Sequence, residues 1–191
     1  MLTPEYELIR GNNSCDNNKV LKELLEWLEA VVFSLVLVVL MFTFIFRVVG
    51  VDGDSMVPTL NDGDRVILSN FFYSPKVGDI VVTTQPNSLN KALIKRIIAV
   101  EGQKVDIDFT TGDVSVDGKV LEEDYINART TVQGDVEFPI EIPHGKVFVM
   151  GDNRNLSLDS RYRSIGLIDV RYLLGKSVFR IFPFSDFGGI E

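Results

Sequence analysis

Ser55, Lys95 and the polar segment Gly151-Asp152-Asn153-Arg154-Asn155-Leu156-Ser157-Leu158-Asp159-Ser160-Arg161 hold the side chains of this sequence that could do covalent chemistry. A serine hydroxyl is a weak nucleophile and needs a base within hydrogen-bond reach. The only histidine is His144, and Pro143-His144-Gly145 reads as a turn. A Ser-His-Asp triad would depend on that one loop residue. Neutral lysine is an established substitute base. Lys95 stands in Leu93-Ile94-Lys95-Arg96-Ile97-Ile98, where strand alternation sends it to the apolar face of Leu93 and Ile97 and sends Arg96 to the other. Burial there disfavours the charged amine and lowers its pKa. Each feature alone also has an ordinary reading. Lys95 fits an edge lysine reaching out to solvent, and Ser55 fits a turn or cap before Met56-Val57-Pro58. The third segment fits a polar loop held by Asp152, Arg154, Asp159 and Arg161 ion pairs.

The elements that must position these residues follow from the rest of the chain. Its 191 residues are 46% hydrophobic, enough for one good core. The net charge is −8 and no basic run occurs, which argues against a nucleic-acid partner. Cys15 is the only cysteine, so neither an intrachain disulfide nor a cysteine zinc site is available. A single histidine likewise excludes metal sites of the two-histidine kind, and no metal or cofactor is expected.

Residues 1–18 are polar and turn-rich and read as a flexible tail. A helix is expected from near Asn18, leading into the uncharged run Ala30 to Phe46 within a membrane-helix region, 19–47. Those 17 residues would span roughly 25 Å as a helix, slightly short of a hydrocarbon core of ~30 Å. Trp27 and Arg47 would anchor the two interfaces. The run is longer than a cleaved leader's apolar stretch, no small-x-small site follows it, and it lacks the polar face of a buried core helix. Arg10, Lys19 and Lys22 on one side against Arg47 and Arg65 on the other leave the orientation open.

From Val48 onward, short β-branched runs are cut by turns, which predicts an all-β domain. Expected strands are 65–69, 79–84, 93–100, 104–107, 114–116, 119–121, 146–150 and 175–182, with helical turns near 56–60 and 169–174. Asp117-Gly118 signals a two-residue hairpin. Residues 48–102 and 144–191 read as the main β unit, and 103–143 as a small β lobe inserted into it.

The segments in their order, after one apolar span, resemble bacterial type I signal peptidases. Ser55-Met56-Val57-Pro58-Thr59-Leu60 matches the family's nucleophile box, Gly78 to Val82 a structural box, Leu93-Ile94-Lys95-Arg96 the lysine box, and residues 151–161 the closing box. The resemblance runs from about Leu24 to Phe182-Pro183-Phe184. It implies an all-β peptidase fold with a small inserted lobe behind one transmembrane helix. Ser55 would be the nucleophile and Lys95 the general base, with Ser157 bonded to the lysine amine. Asp159 and Arg161 would pair behind the site, while Asp152, Asn153 and Arg154 shape the loop. The oxyanion would be met at the Ser55 backbone N–H beside Gly53.

The same resemblance implies preprotein substrates cut after small residues at −1 and −3, and two shallow apolar pockets to read them. It also implies lipid around the helix, the secretion translocon as a neighbour, a cytoplasmic N-terminus and an extracytoplasmic site in the cell membrane. The sequence departs from the family at Gly53, where some members have a serine donor, and at Asn155, where aspartate is common. The single span and short lobe look more like the Gram-positive branch. A self-cleaving repressor of the SOS type shares the Ser/Lys chemistry, but residues 1–47 offer no recognition helix. A catalytically inactive anchored homologue would usually have lost Ser55 or Lys95, and both are present.

Overall fold

The computed structural model describes the backbone of residues 4–44 and 46–190, and the side chains of 19–40 and 46–190. The chain divides into two compact units, one ending at Phe44 and one running from residue 45.

The first unit is a single helix, α1 (Pro4–Phe44). It starts at Pro4, not near Asn18. Proline suits a first helical turn, where its missing N–H costs nothing, and once a helix is nucleated each further residue adds a hydrogen bond. The polar stretch Gly11-Asn12-Asn13-Ser14 contains no proline to stop it. From residue 19 to residue 40 every side chain is exposed, so the apolar ones from Ala30 to Leu40 lie open on all faces. Among the described residues no helix is long and apolar enough to cross a membrane. The end of the run read as a span, residues 41–45, lies outside the described side chains.

The second unit is mostly β. Its strands are β1 (Phe46–Gly50), β2 (Arg65–Ser69), β3 (Ile80–Thr83), β4 (Leu93–Val100), β5 (Lys104–Asp108), β6 (Asp113–Val116), β7 (Lys119–Val120), β8 (Ile140–Glu141), β9 (Lys146–Met150), β10 (Ile168–Asp169), β11 (Leu173–Phe182) and β12 (Gly188–Gly189). The larger sheet runs β1-β2-β11-β3-β4-β9-β10, with β12 beside β11; the smaller runs β7-β6-β5-β8. All pairings are antiparallel. The eight expected strands appear within a residue or two. β1, β8, β10 and β12 are additions too short or too close to the helix to show a period of two. Asp117-Gly118 turns β6 into β7 with both residues at positive φ, 53° and 78°, the conformation such a hairpin turn requires. A short 3-10 turn, Val170–Tyr172, falls where a helical turn was expected. The other is a turn closed by Leu60 N–H on Met56 O at 2.9 Å.

The two sheets share a core. Ile98, Ala99, Phe148 and Met150 of the larger sheet pack with Val105, Ile107, Val114 and Val116 of the smaller. A second cluster under the 51–60 turn joins Val51, Met56 and Leu60 to Val66, Leu68, Ile80 and Val82. This packing anchors the turn that carries Ser55.

Candidate active site

Lys95 enters the site from β4. Its neighbours Leu93 and Ile97 lie in one buried cluster, as alternation requires, and Lys95 itself is only 3% exposed. Ser55 comes from the turn after β1. The two meet: Lys95 Nζ donates to Ser55 Oγ at 2.7 Å and to Ile94 O at 2.9 Å. Burial pushes the amine down to about 8, with the Asp159 and Asp152 carboxylates acting against that fall. An amine so placed is neutral in a useful fraction of molecules near neutral pH and could accept the Ser55 proton. The Ser55 N–H has no hydrogen-bond partner among the described residues, so it is free to meet an oxyanion.

The closing segment is locked behind this pair. Asn153 N–H donates to Ser55 O at 3.1 Å, and Asn153 Nδ2 to Asp54 O at 3.0 Å. Gly151 lies so close to Ser55 O and Ser157 Oγ that a Cβ there would overlap both and sit 2.6 Å from Ser157 Cβ. Asp159 and Arg161, both fully buried, pair at 2.8 and 2.9 Å, and Asp159 also accepts from Gly151 N–H at 3.1 Å. Asp152 is held by two bonds from Arg96, at 2.9 and 2.8 Å, and by the Thr59 hydroxyl. Arg154 donates to Glu123 at 2.9 and 2.6 Å and to Gly151 O at 3.2 Å. Buried charges are tolerable only when paired and hydrogen-bonded in this way.

A cleft of about 420 Å³ opens beside the pair, lined by Val49, Met56, Val82, Leu93, Ile94 and Leu158 among others. Along one wall β4 pairs with β3 from Leu93 to Arg96, but its pairing with β9 starts only at Arg96. Residues 93–95 therefore keep one strand edge without a partner strand among the described residues.

The model of the family described as signal peptidase, peptidase S26, matches residues 24–182. The chain belongs to that family. A signal peptidase I of Bacillus licheniformis is 36% identical over 85% of this chain and 91% of its own length. A probable signal peptidase I-1 of Synechocystis sp. is 38% identical over 81% of each. A solved structure of a signal peptidase I from Enterococcus faecalis V583 is 26% identical, covering 55% of this chain and 97% of that one with a TM-score of 0.43. The family model and the sequence relatives identify the activity as that of a bacterial type I signal peptidase, a serine endopeptidase.

For a signal peptidase, one expectation needs correction. Ser157 does not bond the lysine amine: Lys95 donates to Ser55 and Ile94, and Ser157 Oγ is buried against Gly151 without a hydrogen-bond partner among the described residues. Gly53 N–H donates to Asp62 Oδ1 at 2.8 Å, and the neighbouring Ser55 N–H has no partner among the described residues. His144 sits on the surface against Glu101 at 2.9 Å and is no candidate base. Asn155 accepts from Thr131 N–H and Val132 N–H and donates to Arg129 O, a bond an aspartate could not make. Arg96, Glu123, Tyr125 and Thr59 were not singled out from sequence. Only Arg96 gave a signal: a charged residue in an apolar strand needs a partner on its own face.

Proposed function

We propose that Ser55 is the nucleophile and Lys95 the general base of this signal peptidase. The observation that carries the reading is the 2.7 Å contact between Ser55 Oγ and a desolvated lysine amine. Neutral Lys95 takes the Ser55 proton as Oγ bonds to the scissile carbonyl carbon. The negative charge moves to the carbonyl oxygen, which the Ser55 N–H receives. Collapse breaks the C–N bond, and the Lys95 ammonium returns the proton to the leaving amine. Water, deprotonated by Lys95, then attacks the ester carbonyl; the bond to Ser55 Oγ breaks, the Lys95 ammonium returns the proton to that oxygen, and the second product leaves.

The substrates are preproteins whose signal-peptide ends lie extended in the apolar cleft along the free edge of residues 93–95, a recognition mode that main-chain hydrogen bonds favour. Asp159 with Arg161, and Asp152 with Asn153 and Arg154, support the base by holding the closing loop. Residues 48–102 and 144–191 serve as the catalytic unit, and 103–143 as the inserted lobe. The apolar stretch of α1 is the anchor, in lipid, with the N-terminus cytoplasmic and the site outside; its apolar side chains, exposed on every face, support this.

The test is incubation of the full chain, in detergent, with a preprotein, the cut being located by mass spectrometry. Ser55→Ala and Lys95→Ala should each abolish processing while circular dichroism stays unchanged. Near-normal cleavage by either folded variant would overturn the assignment.

A further inference from the structure

Residues 121–139 form neither helix nor strand, yet they supply a cluster of side chains at the back of the site. The Tyr125 ring lies 4.0 Å from the Arg96 guanidinium carbon and 5.8 Å from that of Arg154. Its hydroxyl donates to Glu123 at 3.2 Å, and Glu123 holds Arg154. Each arginine grips the closing segment at a different point. Arg96 binds both oxygens of Asp152, and Arg154 binds Gly151 O. Gly151 in turn abuts Ser55 O and Ser157 Oγ. The aromatic face offers each guanidinium an attraction beyond what the carboxylates supply. Arg96 follows Lys95 on β4, and the Asp152 carboxylate it holds is one of the two that act on the amine.

We propose that Tyr125 is a positioning residue of the peptidase reaction, its ring keeping Arg96 on Asp152 and Arg154 on Gly151 so that the closing segment stays seated against Ser55 and Lys95. This rests on the Ser55/Lys95 reading above. The consequence is electrostatic as well as steric. Lys95 is faced by Asp152 and Asp159, which carry Arg96 and Arg161 respectively. Arg154 is balanced by Glu123, and the Lys91–Asp52 pair at 2.7 Å lines the outer cleft. If Arg96 drifts from Asp152, that carboxylate is less neutralised and favours the charged amine. The base then needs a higher pH to work.

The experiment measures preprotein cleavage per folded molecule, against pH, for the wild-type chain, Lys95→Ala, Tyr125→Leu and Tyr125→Phe, with thermal unfolding recorded in parallel. Tyr125→Leu should lose about 10-fold in kcat at pH 7, with KM within about 2-fold, and its acid limb should move to higher pH. Tyr125→Phe, which keeps the ring, should stay within about 2-fold of wild type. Pentafluorophenylalanine at 125, which keeps the size and reverses the ring's charge pattern, should behave like leucine and replaces it if Tyr125→Leu does not fold. An unchanged kcat and acid limb in the ring-disrupting variant, a loss confined to KM, or a Phe variant as impaired as Leu would each overturn the positioning role. Cleavage surviving in Lys95→Ala would overturn the Ser55/Lys95 reading itself, a result separable from the Tyr125 outcomes.

Discussion

Replacing Lys95 with methionine removes the amine while keeping an unbranched stem in the same space, and it should make the protein more stable while ending its activity. In the native state the amine's pKa falls from 10.5 to about 8 because burial strips its water. A fall of that size corresponds to about 3 kcal/mol withheld from the native state while both folded and unfolded chains carry the proton. The folded pKa is the lower one, so between pH 8 and pH 10.5 the unfolded chain binds more protons and stability rises with pH. Below that window the cost is present in full; above it the cost is gone. Lys95→Met escapes the cost but loses the bonds to Ser55 Oγ and Ile94 O, each contributing ~1 kcal/mol. The net expectation is a gain of about 1–3 kcal/mol at pH 7, shrinking as pH rises and ending as a small loss near pH 10.5. Urea unfolding of the full chain in detergent, wild type against variant at several pH values, isolates this difference because every other titrating group cancels. A difference that stays constant across pH would refute the desolvation argument, and with it the reason Lys95 could serve as a base. A functional group held at the expense of stability is a common cost of an active site.

Three further outcomes follow from the same geometry. The cleavage rate should rise about 10-fold between pH 7 and pH 9 and then level, as neutral Lys95 accumulates; a rate still climbing steeply at pH 10 would contradict the lowered amine. Gly53→Ser should be slower or less stable, because Gly53 sits at φ +90° and its N–H already serves Asp62; the strain costs about 1 kcal/mol or more, and faster cleavage at saturating preprotein would show that a donor had simply been missing. Gly151→Ala should lose ~10² or more in kcat, because the added methyl falls on Ser55 O and Ser157 Oγ and small displacements of positioned groups are costly; wild-type kcat in this variant would show that the loop yields freely.

Much of the fold was legible because its signals are local. Alternation marked β4 and placed Lys95 with Leu93 and Ile97, which lie buried together. Asp117-Gly118 announced its hairpin by the positive φ only such residues accept easily. The early start of α1 and the strand β1 were harder to see. Both lie beside a long helical run, where propagation and sheet pairing override the intrinsic preference of a few polar or β-branched residues. The smaller sheet was expected as a lobe of its own, and its strands do form a separate sheet. Its apolar face is nonetheless completed by Ile98, Phe148 and Met150 of the larger one, a choice that only packing makes.

By itself the sequence determined which chemistry was available. One turn histidine, no cysteine pair, and a lysine set in an apolar strand made Lys95 a candidate base, because residue type and local period are properties of a few neighbouring positions, and the ordered motifs of the resembled family paired it with Ser55. Tertiary structure decided how that couple is held. Alternation tells which face Arg96 takes but not that Asp152 waits there, and nothing near Arg154 names Glu123 or Tyr125 as its partners. It also turned Gly53 N–H to Asp62 and left Ser157 Oγ off the amine, against what the family resemblance implied for Ser157. A buried charge takes whichever opposite charge the folded chain brings within a few ångströms, and that distance is set by packing between segments far apart in sequence.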